Sequence, residues 1–335
     1  MSRQMKSLFQ GAVLAAVVLN MAMAVLCQQK KTPVLKSGGE SKAGSAGTTR
    51  GATAVRAVTI PITVRMRDAK DAGTMSAANF TIREDGEEQR ILSVRAMDAS
   101  TPLSVAVLIQ DDVVSSIGTN IGEIKDFIRR LPAGSRVLVG SIRSGTLEVR
   151  QKFTNNLERA ASLVRPPTGF ASTAPFNPYV EIIEALKRFE SLPTGRRALL
   201  VVSDGLDASR GLDSASPTQS IDLQRAITAA QRASVAVYSF YAPTAGATAN
   251  GNQILVSYAQ GSLQRLSDET GGRAFFQGTG APVSFDPFLR ELDTALSRQL
   301  ALTYLSTHPN KGFHRIKILS DSSGVEINYP SGYAR

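Results

Sequence analysis

Two stretches of the chain stop being apolar where chemistry could begin. SVAVLIQDDVVSSIG, from Ser104 to Gly118, breaks into Asp111, Asp112, Ser115 and Ser116, and ALLVVSDGLD, from Ala198 to Asp207, breaks into Ser203, Asp204, Gly205 and Asp207. Carboxylates and hydroxyls that converge make an oxygen-rich site suited to a hard divalent cation such as magnesium, which keeps several of its waters. The same residue types have a purely structural use. Asp and Ser are favoured helix N-caps, a carboxylate there gains about 0.3–1 kcal/mol from the helix dipole, and Asp-Gly is a turn signal. Residue type alone leaves both readings open.

Other chemistries are thinner. His308 and His314 lie in the C-terminal stretch beside no nucleophile-like motif, which predicts a surface or strand-packing role rather than a general base. A Gly-rich phosphate loop, a GxGxxG step after the first strand and a GxSxG elbow are all missing. Metal-assisted phosphoester hydrolysis on the strand-end aspartates is the one enzymatic reading left, and the sequence shows no evident positive group beside Asp111 to hold a phosphate.

These residues need elements to position them. Ser104–Ile109 is apolar on consecutive residues, as a strand covered on both faces must be. Ile121, Ile124, Phe127, Ile128 and Leu131 recur at helical spacing and stop at Pro132. RVLVGSI (136–142) and TLEVRQKF (146–153) read as strands joined by a Ser-Gly turn. Asn177-Pro178 reads as a cap and first turn, followed by a helical face of Val180, Ile183, Leu186 and the Phe189 region. Further strands are expected at 198–205, 234–242 and 273–276, and helices near 219–232, 256–269 and 286–300. Arg196 and Arg197 should mark the solvent-exposed start of their strand. Strands alternating with amphipathic helices predict an α/β fold with a doubly wound, mostly parallel, Rossmann-like sheet, which binds ligands at the carboxyl ends of its strands.

Both flanks of this body are β-rich. Residues 55–98 contain two β runs around Glu84-Asp85-Gly86, the strongest short hairpin cue, and residues 303–335 alternate again between turns. The economical arrangement pairs the flanks as one smaller β domain. The division expected is 1–27 as signal peptide or anchor, 28–54 as flexible basic linker, 55–100 and 303–335 as β segments, and 101–302 as the α/β domain.

The chain has 335 residues, 42% hydrophobic and 20% charged, with no Trp. Its net charge of +10 suggests nucleic acid until it is located: seven of those charges belong to residues 1–56, and the body shows no clustered basic stripe, so no nucleic-acid partner is expected. MSRQMK followed by LFQGAVLAAVVLNMAMAVL and Ala22-Met23-Ala24 has the form of a secretory signal, with an uncleaved anchor or a lipid on Cys27 as alternatives. An exported chain, periplasmic or extracellular and possessing membrane proximity through this segment, is expected. Cys27 is the only cysteine, so the body has no disulfide and no thiolate.

FTIREDGEEQRI, VVSDGLD and the closing FHRIKI and SGY resemble the von Willebrand factor A domain, in the form found in exported bacterial proteins that set it between short β segments. The resemblance covers about residues 57–335. It implies a metal-ion-dependent adhesion site, built from an Asp-x-Ser-x-Ser loop after the first strand, a Thr in a later loop and an Asp in a strand-end Asp-Gly step. Asp204 matches the last, and Thr173 stands at a suitable place for the Thr. The first loop departs from the pattern. Aligned on PLSVAVLI, Gln110 holds the first Asp position; starting at Asp111 leaves Val113 in the middle and Ser115 at the end; starting at Asp112 leaves Val114 and then Ser116. The implied metal set is Asp111, Asp112, Ser115, Ser116, Thr173 and Asp204, for Mg2+ or Mn2+. The implied function is binding of a protein partner, whose carboxylate completes the cation's coordination. The alternatives are a metal-dependent phosphoester hydrolase and a metal-free structural scaffold of the envelope.

Overall fold

In the computed structural model all eight residues of the apolar run Leu103–Gln110 are buried, as consecutive apolar residues require. The structure describes residues 55–66, 76, 79–98, 100–143, 145–170, 177–245, 248, 252–322 and 324–334, and Ala52–Arg335 form one compact unit. The segment expected to be a signal or anchor, the stretch expected to be a basic linker, Cys27 and Thr173 lie outside the described residues.

The elements in chain order are β1 (Arg56–Met66), β2 (Phe80–Glu84), β3 (Glu87–Ala96), β4 (Leu103–Gln110), α1 (Ile121–Arg130), β5 (Arg136–Arg143), β6 (Thr146–Thr154), α2 (Leu157–Ser162) and α3 (Pro178–Lys187). They continue with β7 (Arg196–Ser203), α4 (Ile221–Ala233), β8 (Ala236–Tyr241), α5 (Gln253–Glu269), β9 (Arg273–Phe275), α6 (Asp286–Ser297), β10 (Gln299–Ser306), β11 (Phe313–Ser320), β12 (Val325–Asn328) and β13 (Gly332–Ala334). Among the described residues the strands form two sheets. One is mixed, in the order β6-β5-β4-β7-β8-β9, parallel except where β6 runs against β5. The other has the order β12-β1-β10-β3-β2-β11-β13, and its pairings are antiparallel. Strands from before and after the α/β region thus share one sheet.

Side-chain alternation along β4 supplies both cores of the mixed sheet. Val105, Val107 and Ile109 pack with Ile124 and Phe127 of α1 and Leu289 and Leu292 of α6, while Ala106 and Leu108 pack with Tyr179 and Ile182 of α3 and Leu223 and Ile227 of α4. The antiparallel sheet has its own core, including Ile60, Ile62, Ile82, Leu302 and Tyr304. Glu291 of α6 joins the two sheets, facing Arg65 of β1 at 2.7 Å and Arg273 of β9 at 2.5 Å. Gly272 allows the close approach at β9, since a Cβ there would stand 1.9 Å from the Val237 carbonyl oxygen.

Several local signals act as expected. Asn177 caps α3 by accepting from the Tyr179 N–H at 3.0 Å. Asp85 and Gly86 take positive φ values of 50° and 92° between the paired Glu84 and Glu87, the geometry a two-residue hairpin turn needs. Other expectations need correction. The face of α3 packed on the core is Tyr179, Ile182, Ala185 and Leu186, with Ile183 half-buried and Val180 exposed, so the expected face holds at Leu186 and Phe189 and is displaced by one residue at Val180 and Ile183. The helix expected over 286–300 ends at Ser297, and Gln299 already pairs with β1. Arg196 is buried, not exposed: β7 is a central strand, and loops close over its start. The Arg196 guanidinium donates to the Thr101 and Leu296 carbonyls, and that of Arg197 to the Ala233 and Leu192 carbonyls at 2.8 Å, so each cation is spent on backbone oxygens near element ends.

Candidate functional site

β4 and β7 are parallel neighbours with Ile109 opposite Val202, which sets Gln110 beside Ser203 and Asp204 at the carboxyl edge. Gln110 is fully buried and uses its whole amide. Its Oε1 accepts from the Ser203 hydroxyl and from the Asp204 N–H at 3.3 Å. Its Nε2 donates to Asp112 Oδ1 at 2.9 Å and to Asp204 Oδ1 at 3.2 Å. The amide is fixed in this sense, because a backbone N–H can only donate and must face the oxygen.

Asp204 collects the remaining donors. Leu206 N–H donates to Oδ1 at 3.2 Å, while the hydroxyls of Thr244 and Thr248 donate to Oδ2 at 3.0 and 3.4 Å. Burial pushes the Asp204 carboxyl up to about 7, and the neighbouring Asp112 charge adds to the push, against the hydrogen bonds of Leu206, Gln110 and Thr244. The threonines arrive on the loop after β8, which is stitched to the first loop by Val114 N–H to Pro243 O at 2.9 Å and Ala245 N–H to Asp112 O at 3.1 Å. Val113 is completely buried in the α1-side core and bridges to Thr244. That explains a valine where a metal loop would offer oxygen: the position serves packing.

The other sequence candidates have separate surroundings. Asp111 accepts from the Thr168 N–H and hydroxyl at 3.2 and 3.1 Å, and Arg143 Nε stands 3.3 Å from its Oδ2. A positive group therefore does stand beside Asp111, contrary to the sequence reading, and the aspartate itself engages it. Ser115 and Ser116 are exposed on a 3-10 turn, Ser115–Asn120. Asp207 accepts from Ser209 and from Ser220, the N-cap of α4, so it braces that helix start. The structure unites Asp112 with Asp204 through Gln110 and leaves Asp111, Ser115 and Ser116 outside that contact. Gln110 had registered in the sequence only as a departure from a motif, while Thr168, Thr244 and Thr248 sit in loops with no periodic signal.

This donor set does not fit a hard divalent cation. Such an ion wants several oxygens at one point, and what position 110 offers the two carboxylates is a nitrogen carrying two hydrogens.

A second polar centre sits in the antiparallel sheet and includes both histidines. His314 is buried, with Nδ1 2.8 Å from Asp85 Oδ2 and Nε2 3.0 Å from the Asn310 carbonyl. Both neighbours only accept, so both nitrogens carry hydrogen and the ring is an imidazolium. Burial works against that charge, but the bonds to Asp85 and Asn310 outweigh it and raise the His314 pKa. Glu84, with no exposure at all, accepts from Tyr333 Oη at 2.7 Å and lies 3.5 and 3.6 Å from His314 Nδ1 and His308 Nδ1.

No family model and no curated protein matches the chain. Solved structures do. An aerotolerance-related membrane protein from Bacteroides fragilis NCTC 9343 is 12% identical, with 58% of this chain and 99% of that one covered and a TM-score of 0.38. BatB from Bacteroides thetaiotaomicron is 14% identical over 58% of this chain and 98% of that one, TM-score 0.41. A von Willebrand factor type A structure from Catenulispora acidiphila is 11% identical over 76% of this chain and 73% of that one, TM-score 0.43.

Proposed function

We propose that the chain is an exported protein-binding module of a cell envelope, not an enzyme, and that its partner docks on the carboxyl edge of the mixed sheet. The finer architecture belongs to this reading: a doubly wound, von Willebrand factor A-like domain joined to a smaller β domain made from its flanks. The observation that carries it is the exposure of Phe170 (79%) and Val283 (84%) on two loops fastened to that edge. Gly169 N–H donates to the Asp111 carbonyl at 3.1 Å, and Asn120 Nδ2 donates to the Pro282 carbonyl at 3.1 Å. The turn Ser115–Asn120 touches both loops, and a Cβ built on its Gly118 would stand 3.5 Å from Pro166 Cβ. Phe170 and Val283 are held out beside exposed Ser115, Ser116 and Thr119, and an aromatic ring such as Phe170 belongs to the residue types enriched at the buried centre of an interface. Burying one such side chain is worth roughly 1.5–3 kcal/mol.

The apolar segment and basic stretch at the N-terminus support export and a position near the membrane. The hydrolase reading draws no support from Arg143, which Asp111 occupies. A photo-crosslinking residue placed at position 170 or 283 of the full chain should give discrete adducts with an envelope protein in cells. The same residue at Lys187 or Arg232, on the outer helices, should not. Equal labelling from all four positions, or none from 170 and 283, would favour the scaffold reading instead.

A further inference from the structure

We infer that the Gln110 side-chain amide performs, as part of the chain, the bridging that a divalent cation would otherwise supply between the two strand ends, so that the carboxyl edge is closed and ordered without metal. The two hydrogens of Nε2 go to two different carboxylates, Asp112 at 2.9 Å and Asp204 at 3.2 Å. The two lone pairs of Oε1 take the Ser203 hydroxyl and the Asp204 N–H. An amide has four hydrogen-bonding valences, and this one spends three on the end of β7, at Ser203 and Asp204, and the fourth on Asp112 in the loop that follows β4.

The surroundings agree with a closed contact. Asp204 Oδ2 is taken by Thr244 and Thr248, and the intervening Val113 contributes its side chain to the core. A cation entering between Asp112 and Asp204 would have to expel the amide and leave the buried Asp204 N–H without its acceptor, a cost that a site built for metal does not impose. An amide also differs from an ion in being permanent: it adds no dependence on cation concentration. Partner capture at the proposed surface is then indifferent to chelators. The inference concerns the edge itself and survives even if Phe170 and Val283 bind nothing.

The test is thermal unfolding of the full chain near pH 8 in excess chelator, in magnesium and in manganese, with manganese binding followed by electron paramagnetic resonance. The wild type should unfold at one midpoint in all three and retain no manganese. Gln110→Ala should lower the midpoint by several degrees, equally in all three. Gln110→Glu is nearly isosteric and replaces the donor with a third carboxylate oxygen, so it should unfold earliest in chelator and recover when manganese is added. Combining Gln110→Ala with Asp112→Asn should cost less than the two separately, because the bridge has then lost one of its ends. A wild-type midpoint that rises by several degrees with manganese, a wild-type manganese signal, or Gln110→Ala unfolding at the wild-type midpoint would each overturn the assignment.

Discussion

Asp204 and Glu84 are both buried carboxylates, at 1% and 0% exposure, and the two sheets accommodate them by opposite means. Around Asp204 the partners are neutral: an amide, two threonine hydroxyls and the Leu206 N–H. Around Glu84 stand two imidazoles and a phenol, with His314 held as a cation by Asp85 and Asn310. Neutral donors soften a buried charge without cancelling it, so the Asp204 centre is relieved by taking up a proton. The Glu84 centre is relieved by a positive ring, and therefore depends on that ring staying protonated. Two different solutions lead to the same trend, a fold that weakens as the pH rises toward and past neutrality.

The largest effect expected concerns Asp204. Its folded pKa of about 7 lies above the ordinary 3.8, so the folded protein keeps a proton that the unfolded chain has already released. Stability from this group is intact below about pH 4 and declines as the pH climbs to about 7; at about 1.4 kcal/mol per pH unit the loss has a ceiling of roughly 4 kcal/mol. Asp204→Asn removes the titration. Denaturant titrations between pH 5 and 6.5 should show a falling midpoint for the wild type and a nearly flat one for the variant, while the decline that His314 contributes above about 6.5 remains in both. A wild-type slope over the lower range that persists in the variant would place the titration elsewhere.

His314→Ala comes next. Taking one partner from a buried ion pair costs about 3–5 kcal/mol, and the partial exposure of Asp85 puts this case at the lower end. The pH sign follows from the raised histidine pKa: the contribution is complete below about 6.5 and is lost as the pH rises through the folded value. The variant should therefore be most damaged near pH 5.5 and approach the wild type as the pH rises through the folded value, the reverse of Asp204→Asn, which should gain most above pH 7. For Asp85 the sign is opposite. Burial opposes its ionisation, but the bonds from Arg315 and His314 lower its pKa, so its contribution is present above 3.8 and fades as the pH falls through the folded value.

What could be read beforehand follows the range of the interaction. β4 and β7 were legible because a buried strand must be apolar along its length, and Asn177 was legible because its cap acts on the next two residues. The Glu84 centre was not. It exists because β2 pairs with β11 across more than two hundred residues, with Glu84 opposite Ile316, and no local pattern fixes that register. Arg196 was misread for a related reason: a charged residue at a strand's start is exposed at a sheet edge and buried at its middle, and β7's place between β4 and β8 is a topological fact. At the strand edge the residue types attracted attention to carboxylates and hydroxyls. The residue that organises them, Gln110, is neutral and ends an apolar run, so it reads as the least chemical member of the group.

The smallest effect tests the contrast most sharply. Thr244→Val keeps shape and β-branching, and with them the backbone bridge to Val113, but removes the hydroxyl that donates to Asp204 Oδ2 at 3.0 Å. The loss should be about 1 kcal/mol where Asp204 is protonated and about 2 kcal/mol above pH 7, where a charged acceptor loses its donor. Because that bond lowers the Asp204 pKa, the variant should also carry its pH-dependent decline to a higher pH than the wild type. Thr248, already 3.4 Å from the same oxygen, remains as a weaker donor, so the damage should be graded rather than complete. A centre built from several neutral donors loses its partners one at a time. If Thr244→Val instead cost as much as His314→Ala, the donors around Asp204 would be acting as a single unit, and the distinction between the two centres would lie in their charge and not in how they share the work.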